Sequence, residues 1–395
     1  MKHYDLIIVG GGLVGAGLAL ALKNTEIKIA LIDAKLPTNN DPRLFALNAS
    51  SCQFLQNIDV WPVLEEYAAS IQQVHVSNHG QFGAVRLRAE ETGFATLGNV
   101  LPAYQIEMAF ANALDLLAHC TIYRPARLMK LQQENQLAQL TLTTEQGEMM
   151  LQSPLVIGAD GTESTVRKQL NIAAEIIDYD QSAIVTRTTL KRHHENIAYE
   201  RFYEQGAIAM LPLKGNECAT IWSGANARMQ PLMSLTDDDF VLQLQRIFGY
   251  RMGKLQSIGK RHMFPLRMVK AENAYAGCVY LLGNSAHTLH PIAAQGFNLA
   301  IHETAMLAEY IQERLAEKKT LSAIDLQSFH AKTLRRQAVS MGVSHRLSQL
   351  FSSESMLAEL AAQIGMLSLD LLAPVKKRFV REMLGKTGDV PRLLI

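Results

Sequence analysis

A strand, glycine turn and helix at the start, alternating β segments through the middle and a helical pattern at the end predict an α/β fold. The expected architecture is a Rossmann-like nucleotide-binding unit, interrupted by a mostly antiparallel β insertion and closed by a helical C-terminal tail. The chain opens Asp5-Leu-Ile-Ile-Val-Gly10-Gly11-Gly12-Leu13-Val14-Gly15, and the next apolar run, from Ile27, closes on the acid Asp33. Strand, G-x-G-x-x-G turn, small-residue helix, second strand and then an acid form the dinucleotide-binding fingerprint. Gly10 permits the tight turn, Gly12 lets the backbone approach a pyrophosphate, and Gly15 lets the helix pack closely on the strand. The helix N-terminus offers free N–H groups and a positive dipole end to a diphosphate. Asp33 can accept hydrogen bonds from the ribose hydroxyls of an adenosine.

Leu6 to Leu22 carries no charged residue, which also suits a signal-peptide core or a short membrane span. Its glycines weaken any helix through the whole stretch, and no strongly basic segment precedes it. The βαβ reading stands, and the expected location is cytoplasmic. With 395 residues the chain can bury two or three structural units. A formal net charge of +1 offers nothing that argues for nucleic acid as a partner. Cys52, Cys120, Cys218 and Cys278 lie far apart, without a C-x-x-C pair, which fits a reducing compartment and excludes the usual zinc spacings.

Along the chain, Asp41-Pro-Arg43-Leu-Phe-Ala-Leu-Asn48 reads as a turn leading into a helix that reaches Leu55. Apolar residues at helical spacing predict a helix over Tyr104 to Ala118, and alternation between Thr121 and Leu151 predicts a β-meander. Leu155-Val-Ile-Gly-Ala-Asp160-Gly161 reads as a buried strand ending in a tight turn. Antiparallel strands are expected from about 182 to 225, and a strand at Val279–Gly283 precedes a Gly/Pro/Ala-rich loop and a helix beginning near Gly296. The expected division places the nucleotide unit in residues 1–70, 100–178 and 262–345, the β unit in 71–99 and 179–261, and the helical tail in 346–395.

Two later segments sharpen this outline. One is Gly158-Ala-Asp160-Gly161-Thr-Glu-Ser164-Thr-Val166-Arg167; the other is Gly283-Asn284-Ser-Ala-His287-Thr-Leu-His290-Pro291-Ile-Ala-Ala294-Gln295-Gly296-Phe297-Asn298. With the opening fingerprint and Arg43, they resemble the flavoprotein aromatic hydroxylases built on the p-hydroxybenzoate hydroxylase fold. The resemblance covers nearly the whole chain in the expected order. Within that family the last segment looks like the ubiquinone-biosynthesis branch.

The resemblance implies FAD as cofactor, with NAD(P)H and O₂ as co-substrates. Asp160-Gly161 would contact the diphosphate region and lie near the NAD(P)H path; the lesser alternative, taking the turn alone, is Asp160 as a helix cap on a left-handed turn. Arg43 would close over the cofactor, where a guanidinium fork suits phosphate or ribose oxygens. Gln105 stands where the family places a polar side chain against the cofactor, or else caps a helix. Pro291 sits in the loop feeding the helix at Gly296, whose Phe297 and Asn298 N–H groups would face the flavin pyrimidine edge and stabilise negative charge on the reduced ring. His287 and His290 look like an H-x-x-H metal pair only superficially, and no metal is expected. Two positions depart from the family pattern: Asn284 replaces the aspartate that holds the ribityl hydroxyls, and Ala294 replaces a glycine. An amide still binds hydroxyls but removes a negative charge, which favours the anionic reduced flavin.

The implied reaction reduces FAD with NAD(P)H, adds O₂ at flavin C4a and transfers the distal oxygen to an electron-rich phenol ring. The expected substrate is a polyprenylated (methoxy)phenol, and no catalytic side chain is required of the protein. The alternatives are a hydroxylase of another aromatic substrate, or a non-catalytic prenyl-phenol-binding scaffold of a quinone-synthesis assembly. A disulfide reductase would need a redox cysteine pair and a second glycine fingerprint, and both are missing. Met210, Leu211, Pro212 and Trp222 are candidates for an apolar substrate pocket or for ordinary sheet core. In the tail, Met356 to Leu372 followed by Lys376-Lys377-Arg378 and Arg381 suits peripheral contact with an anionic membrane face. The other reading is packing on the core, on a second copy of the chain, or within a quinone-biosynthesis complex.

Overall fold

The computed structural model describes residues 1–37, 41–80, 84–204, 206–288, 295–321, 325–334, 337, 380–381, 384–387 and 390–395. Its nucleotide-binding half is a six-stranded sheet in the order Tyr275–Ala276, Val279–Leu281, Val156–Gly158, Leu6–Val9, Ile29–Ile32, Cys120–Tyr123. All neighbours pair in parallel except the first two. The central strands are continuous apolar runs, as a sheet covered on both faces requires; Leu6, Ile7, Ile8, Ile29, Ala30 and Leu31 are fully buried. The helices Leu13–Ala21 and Gln295–Ala316 come from distant parts of the chain and lie against one another.

The β-meander forms a separate four-stranded sheet, Ala126–Glu134, Leu137–Thr144 and Gly147–Ser153 with the short Lys2–His3 at its edge. The second large layer is a nine-stranded, mostly antiparallel sheet that includes Gln73–Asn78, Ala84–Arg88, Ala174–Leu190, Ile197–Tyr203, Gly206–Pro212, Glu217–Ala225 and His262–Ala271. It extends past the limits 179 and 261 read from the sequence, because Ala174–Leu190 and His262–Ala271 pair from Ala174↔Ala271 to Val185↔His262. These two long strands run unbroken from the nucleotide-binding half into the β unit, so no composition change marks the passage. A three-stranded sheet of Leu44–Asn48, Gly98–Pro102 and Ala69–Ile71 lies between the two layers.

The expected helix at Tyr104–Ala118 is found at Ala103–Asp115. The segment after Arg43 differs from its expectation: Leu44–Asn48 is a strand, and the helix Ala49–Asn57 starts only where the Asn48 side chain accepts from Ser51 N at 2.9 Å. An N-cap of this kind satisfies one of the helix's free N–H groups, and so sets its start.

One face of the nine-stranded sheet is covered by the helices Asn226–Met233 and Asp237–Phe248. The other packs Val74, Val76, Leu211 and Ile221 with Leu44, Ala46 and Ala49 of the nucleotide-binding half. Most of the tail, including Met356–Leu372, Lys376, Lys377 and Arg378, lies outside the described residues. Its described parts pack inward. Val380 and Leu384 join the cluster between the layers, and Leu394 joins the main core. No helix among the described residues is long and apolar enough to cross a membrane.

Candidate functional site

The glycine turn leaves the strand Leu6–Val9 and enters the helix Leu13–Ala21. Gly10 has φ +108°, and a Cβ there would stand 2.3 Å from the Ala159 carbonyl oxygen. A Cβ on Gly15 would stand 1.9 Å from the Gly10 carbonyl oxygen, so both positions exclude a side chain on steric grounds. Gly12 is different: a Cβ there would meet nothing within 4 Å. The helix it opens has no side-chain cap and no acid in its first turn. Its first N–H groups therefore have no side-chain cap among the described residues, the condition for binding a diphosphate.

Asp33 ends the next strand, and its carboxylate lies 3.2 Å from the Arg124 guanidinium. Arg124 also donates to the Gly11 carbonyl at 3.1 Å, and its Nε is buried with no partner. Burial raises the Asp33 pKa above the usual carboxylate value, more than the Lys35 N–H and Arg124 lower it. Arg124 is absent from the sequence reading because only the pairing of Cys120–Tyr123 with Ile29–Ile32 brings it to Asp33.

Arg43 is engaged by Asp41, with Nε 2.9 Å from the carboxylate, and lies 3.6 Å from Glu107. It stands over the Phe45 ring, 5.6 Å from the centroid. Burial first, and then the nearby Asp41, raise the Glu107 pKa. Gln105, on the same helix as Glu107, is half-buried and makes no hydrogen bond with the described residues.

The structure gives Asp160 a capping role. Its carboxylate accepts from Ser164 Oγ at 2.5 Å, Ser285 Oγ at 3.1 Å, Thr165 N at 2.7 Å and Val166 N at 3.1 Å. Gly161, at φ +83°, donates its N–H to Ser285 Oγ at 3.0 Å. Arg167 completes the knot, donating to the carbonyls of Ser285 and Thr162 at 2.8 Å each. The helix-cap reading thus accounts for the Asp160 side chain, while a Cβ at Gly161 would meet nothing within 4 Å.

The neighbouring turn is open. Gly283 has φ +60°, and a Cβ there would be 3.1 Å from Val14 Cγ2, which sets this turn at the mouth of the first helix. Asn284 is exposed, and its side-chain amide has no partner among the described residues. Three residues on, buried His287 holds the Glu303 carboxylate at 2.8 Å, and Gln337 donates to the same carboxylate at 2.8 Å. His290 and Pro291 lie outside the described residues, as does Ala294.

Gly296, Phe297 and Asn298 occupy the first turn of Gln295–Ala316. Asn298 is 9% exposed and locks that turn in place. Its Oδ1 accepts from Asn48 N at 3.0 Å and Ser51 Oγ at 2.7 Å, and its Nδ2 donates to the Ala46 carbonyl at 2.9 Å. Phe297 packs on Phe45 with ring centroids 4.4 Å apart. Side chains thus tie the helix start to the segment Ala46–Ser51.

The four pocket candidates divide between the two faces of the sheet. Met210 and Trp222 belong to the closed core beneath the two covering helices, fully or almost fully buried. Trp222 donates to Tyr203 Oη at 3.0 Å and meets the Phe240 ring edge-on at 5.2 Å. Pro212 lies opposite Cys218, a member of the same core, and so shares its face. These three take the second of the two readings the sequence leaves open, ordinary sheet core, as strand alternation dictates. Leu211 alone is on the face toward the nucleotide-binding half, with Ile221 beside it.

The bare helix start at Gly12, the unpartnered amides of Gln105 and Asn284 and the second helix start at Gln295 fit an elongated dinucleotide bearing a polar ring. A model of the FAD binding domain family matches residues 3–341. The chain is 29% identical to the ubiquinone hydroxylase UbiL of Rhodospirillum rubrum, covering 100% of this chain and 93% of that one. It is 26% identical to the 3-demethoxyubiquinol 3-hydroxylase of Escherichia coli over 78% of this chain and 79% of that one. Among solved structures, p-nitrophenol 4-monooxygenase from Pseudomonas putida superposes with a TM-score of 0.80 at 13% identity, covering 98% of this chain and 100% of that one.

Proposed function

The chain belongs to the FAD binding domain family and is an FAD-dependent monooxygenase, and we propose that it hydroxylates a polyprenylated (methoxy)phenol ring in ubiquinone biosynthesis. NAD(P)H and O₂ are the co-substrates of this reading. The observation that carries it is the placement of the open Gly283-Asn284 turn against Val14, beside the uncapped helix that Gly12 begins. The names of the ubiquinone hydroxylases to which the chain is similar support the substrate class.

FAD, when bound, supplies the redox chemistry and the activation of O₂. The protein's part is to bind and orient. The N–H groups after Gly12 take the diphosphate, and Asp33 takes the adenosine ribose. Arg43 closes over the cofactor, and Asn284 holds ribityl hydroxyls without adding a charge. The N–H groups of Phe297 and Asn298 would hold the pyrimidine edge of the ring, where a helix N-terminus would stabilise negative charge. Gly15 lets its helix pack against the Gly10 carbonyl, Gly161 shapes its own turn, and Asp160 fixes that turn through Ser164 and Ser285 rather than by touching ligand.

The β unit is assigned to the phenol, with Leu211 and Ile221 on the face that covers the ring. A polyprenyl chain suits enzyme action at a membrane face, and the basic segment 376–381 of the tail is assigned to that contact.

The test is anaerobic reduction of the holoenzyme's flavin by NADPH, with and without a prenylated methoxyphenol. Faster bleaching of the flavin spectrum with the phenol is the expected result. An unchanged rate overturns the substrate class, and failure to bind FAD turns the reading to a scaffold.

A further inference from the structure

The helix-covered face of the nine-stranded sheet carries a group of cations that the flavin site does not use. His75 sits on Gln73–Asn78, directly opposite Arg86 on one neighbouring strand and Tyr199 on the other. Arg201 lies two residues beyond Tyr199 and therefore on the same face. Arg251, in the turn after Asp237–Phe248, brings its Nη1 to 2.6 Å from His75 Nε2. His75 is 6% exposed, and it can accept that bond only as the neutral imidazole.

Two of these arginines have no counter-charge. Among the described residues, neither Arg201 nor Arg251 has a carboxylate within ion-pairing distance, and the Arg201 side chain makes no hydrogen bond. Arg201 is half-buried, and its Nε is fully buried without a partner. Burial, followed by repulsion from Arg251, Arg86 and Arg201, pushes the His75 pKa down to about 4. Burial and Arg251 likewise lower that of Arg201. Holding the half-buried Arg201 guanidinium unneutralised, with the charge of Arg251 nearby, is unfavourable until an anion joins them.

We propose that Arg201 and Arg251, with His75 between them, form a binding site for a phosphate group on the sheet face turned away from the flavin half. Planar guanidinium forks match phosphate oxygens in paired hydrogen bonds. A bound phosphate also reverses the local field, so His75 takes up a proton; the Arg251 Nη1 bond to His75 Nε2 then breaks, and both groups turn their N–H donors to the phosphate. The cations and titratable groups facing His75 are Arg86 from one strand, Arg201 and Tyr199 from another, and Arg251 from the turn. The phosphate belongs either to a soluble compound or to a phospholipid headgroup. Exposed Tyr250 and Lys254 flank Arg251, and exposed Lys191 and Arg192 lie nearby, since Arg192 donates to the Arg251 carbonyl at 2.9 Å.

The experiment follows the His75 imidazole signal by NMR in histidine-labelled holoenzyme, assigned with His75→Gln. Inorganic pyrophosphate is titrated at constant ionic strength, and phosphatidylglycerol vesicles are tested separately by co-sedimentation. Saturable binding of pyrophosphate that raises the His75 pKa by about one unit or more identifies a soluble phosphate ligand. Binding only to the anionic vesicles, lost in Arg201→Gln and Arg251→Gln, identifies a headgroup. Each substitution should weaken the binding seen about tenfold, the effect of roughly 1.4 kcal/mol. Retained FAD absorbance and melting temperature show that the variants are folded, and Arg251→Gln, in an exposed turn, serves if Arg201→Gln is not. The proposal is overturned if neither probe binds, or if binding is the same in the variants as in the wild type.

Discussion

Two turns stand side by side at the ends of neighbouring parallel strands: Asp160-Gly161 after Val156–Gly158, and Gly283-Asn284 after Val279–Leu281. In sequence both read as polar contacts for a cofactor. In the fold the Asp160 carboxylate is consumed by four protein donors, whereas the Asn284 amide is exposed and has no partner among the described residues. A polar side chain whose hydrogen bonds are satisfied within the protein has little left to give a ligand; one held open at a bare helix end has all of it. Ser285 links the two turns, donating to Asp160 while its carbonyl accepts from Arg167.

Behind the open turn, His287 and Glu303 are both almost fully buried, so removing one partner leaves the other charged and unpaired. Glu303→Ala should therefore have the largest effect on stability, about 3–5 kcal/mol in urea unfolding of the apoprotein. A loss below 1 kcal/mol would mean that the open turn needs no such support. Asp160→Ala comes next, at about 2–3 kcal/mol, because it removes a helix cap and strands the Ser164 and Ser285 hydroxyls. If this variant unfolds like the wild type yet binds FAD poorly, Asp160 contacts the ligand and the contrast between the turns fails.

The His287–Glu303 pair also has a pH signature. Burial disfavours charge on the imidazole, but the Glu303 carboxylate outweighs it and leaves the His287 pKa above the ordinary 6.5. The folded state thus holds the proton more tightly than the unfolded chain. The pair's contribution is fully present below about pH 6.5 and fades as pH rises through the raised value. The stability gap between wild type and Glu303→Gln should accordingly narrow above neutral pH. A gap that widened instead would show that His287 is neutral in the native protein.

The legibility of these features follows from their range. The glycine turn, the parallel strands and the helix at Gln295 rest on local patterns, so spacing alone announces them. Asp33 was visible for the same reason, but Arg124 was not, since it reaches Asp33 only through strand pairing. Alternation in Gly206–Pro212 and Glu217–Ala225 was readable, yet not which face the covering helices would take. Met210 and Trp222 consequently went to the core, and Leu211 to the opposite face. The Asp160 cap and its link to Ser285 span 125 positions, beyond any local signal.

The smallest effect on stability, and the most direct test of the open turn, is Asn284→Asp. The site is exposed and makes no side-chain hydrogen bond with the described residues, so folding should change by no more than about 0.5 kcal/mol. A carboxylate there still accepts from ribityl hydroxyls, so FAD should remain bound. It also places a negative charge beside a ring that becomes anionic on reduction, which should lower the bound flavin's midpoint potential. Dye-coupled reductive titration measures that shift. An unchanged potential with normal FAD binding would place Asn284 away from the ring, and the open turn would then hold the diphosphate end of the cofactor instead.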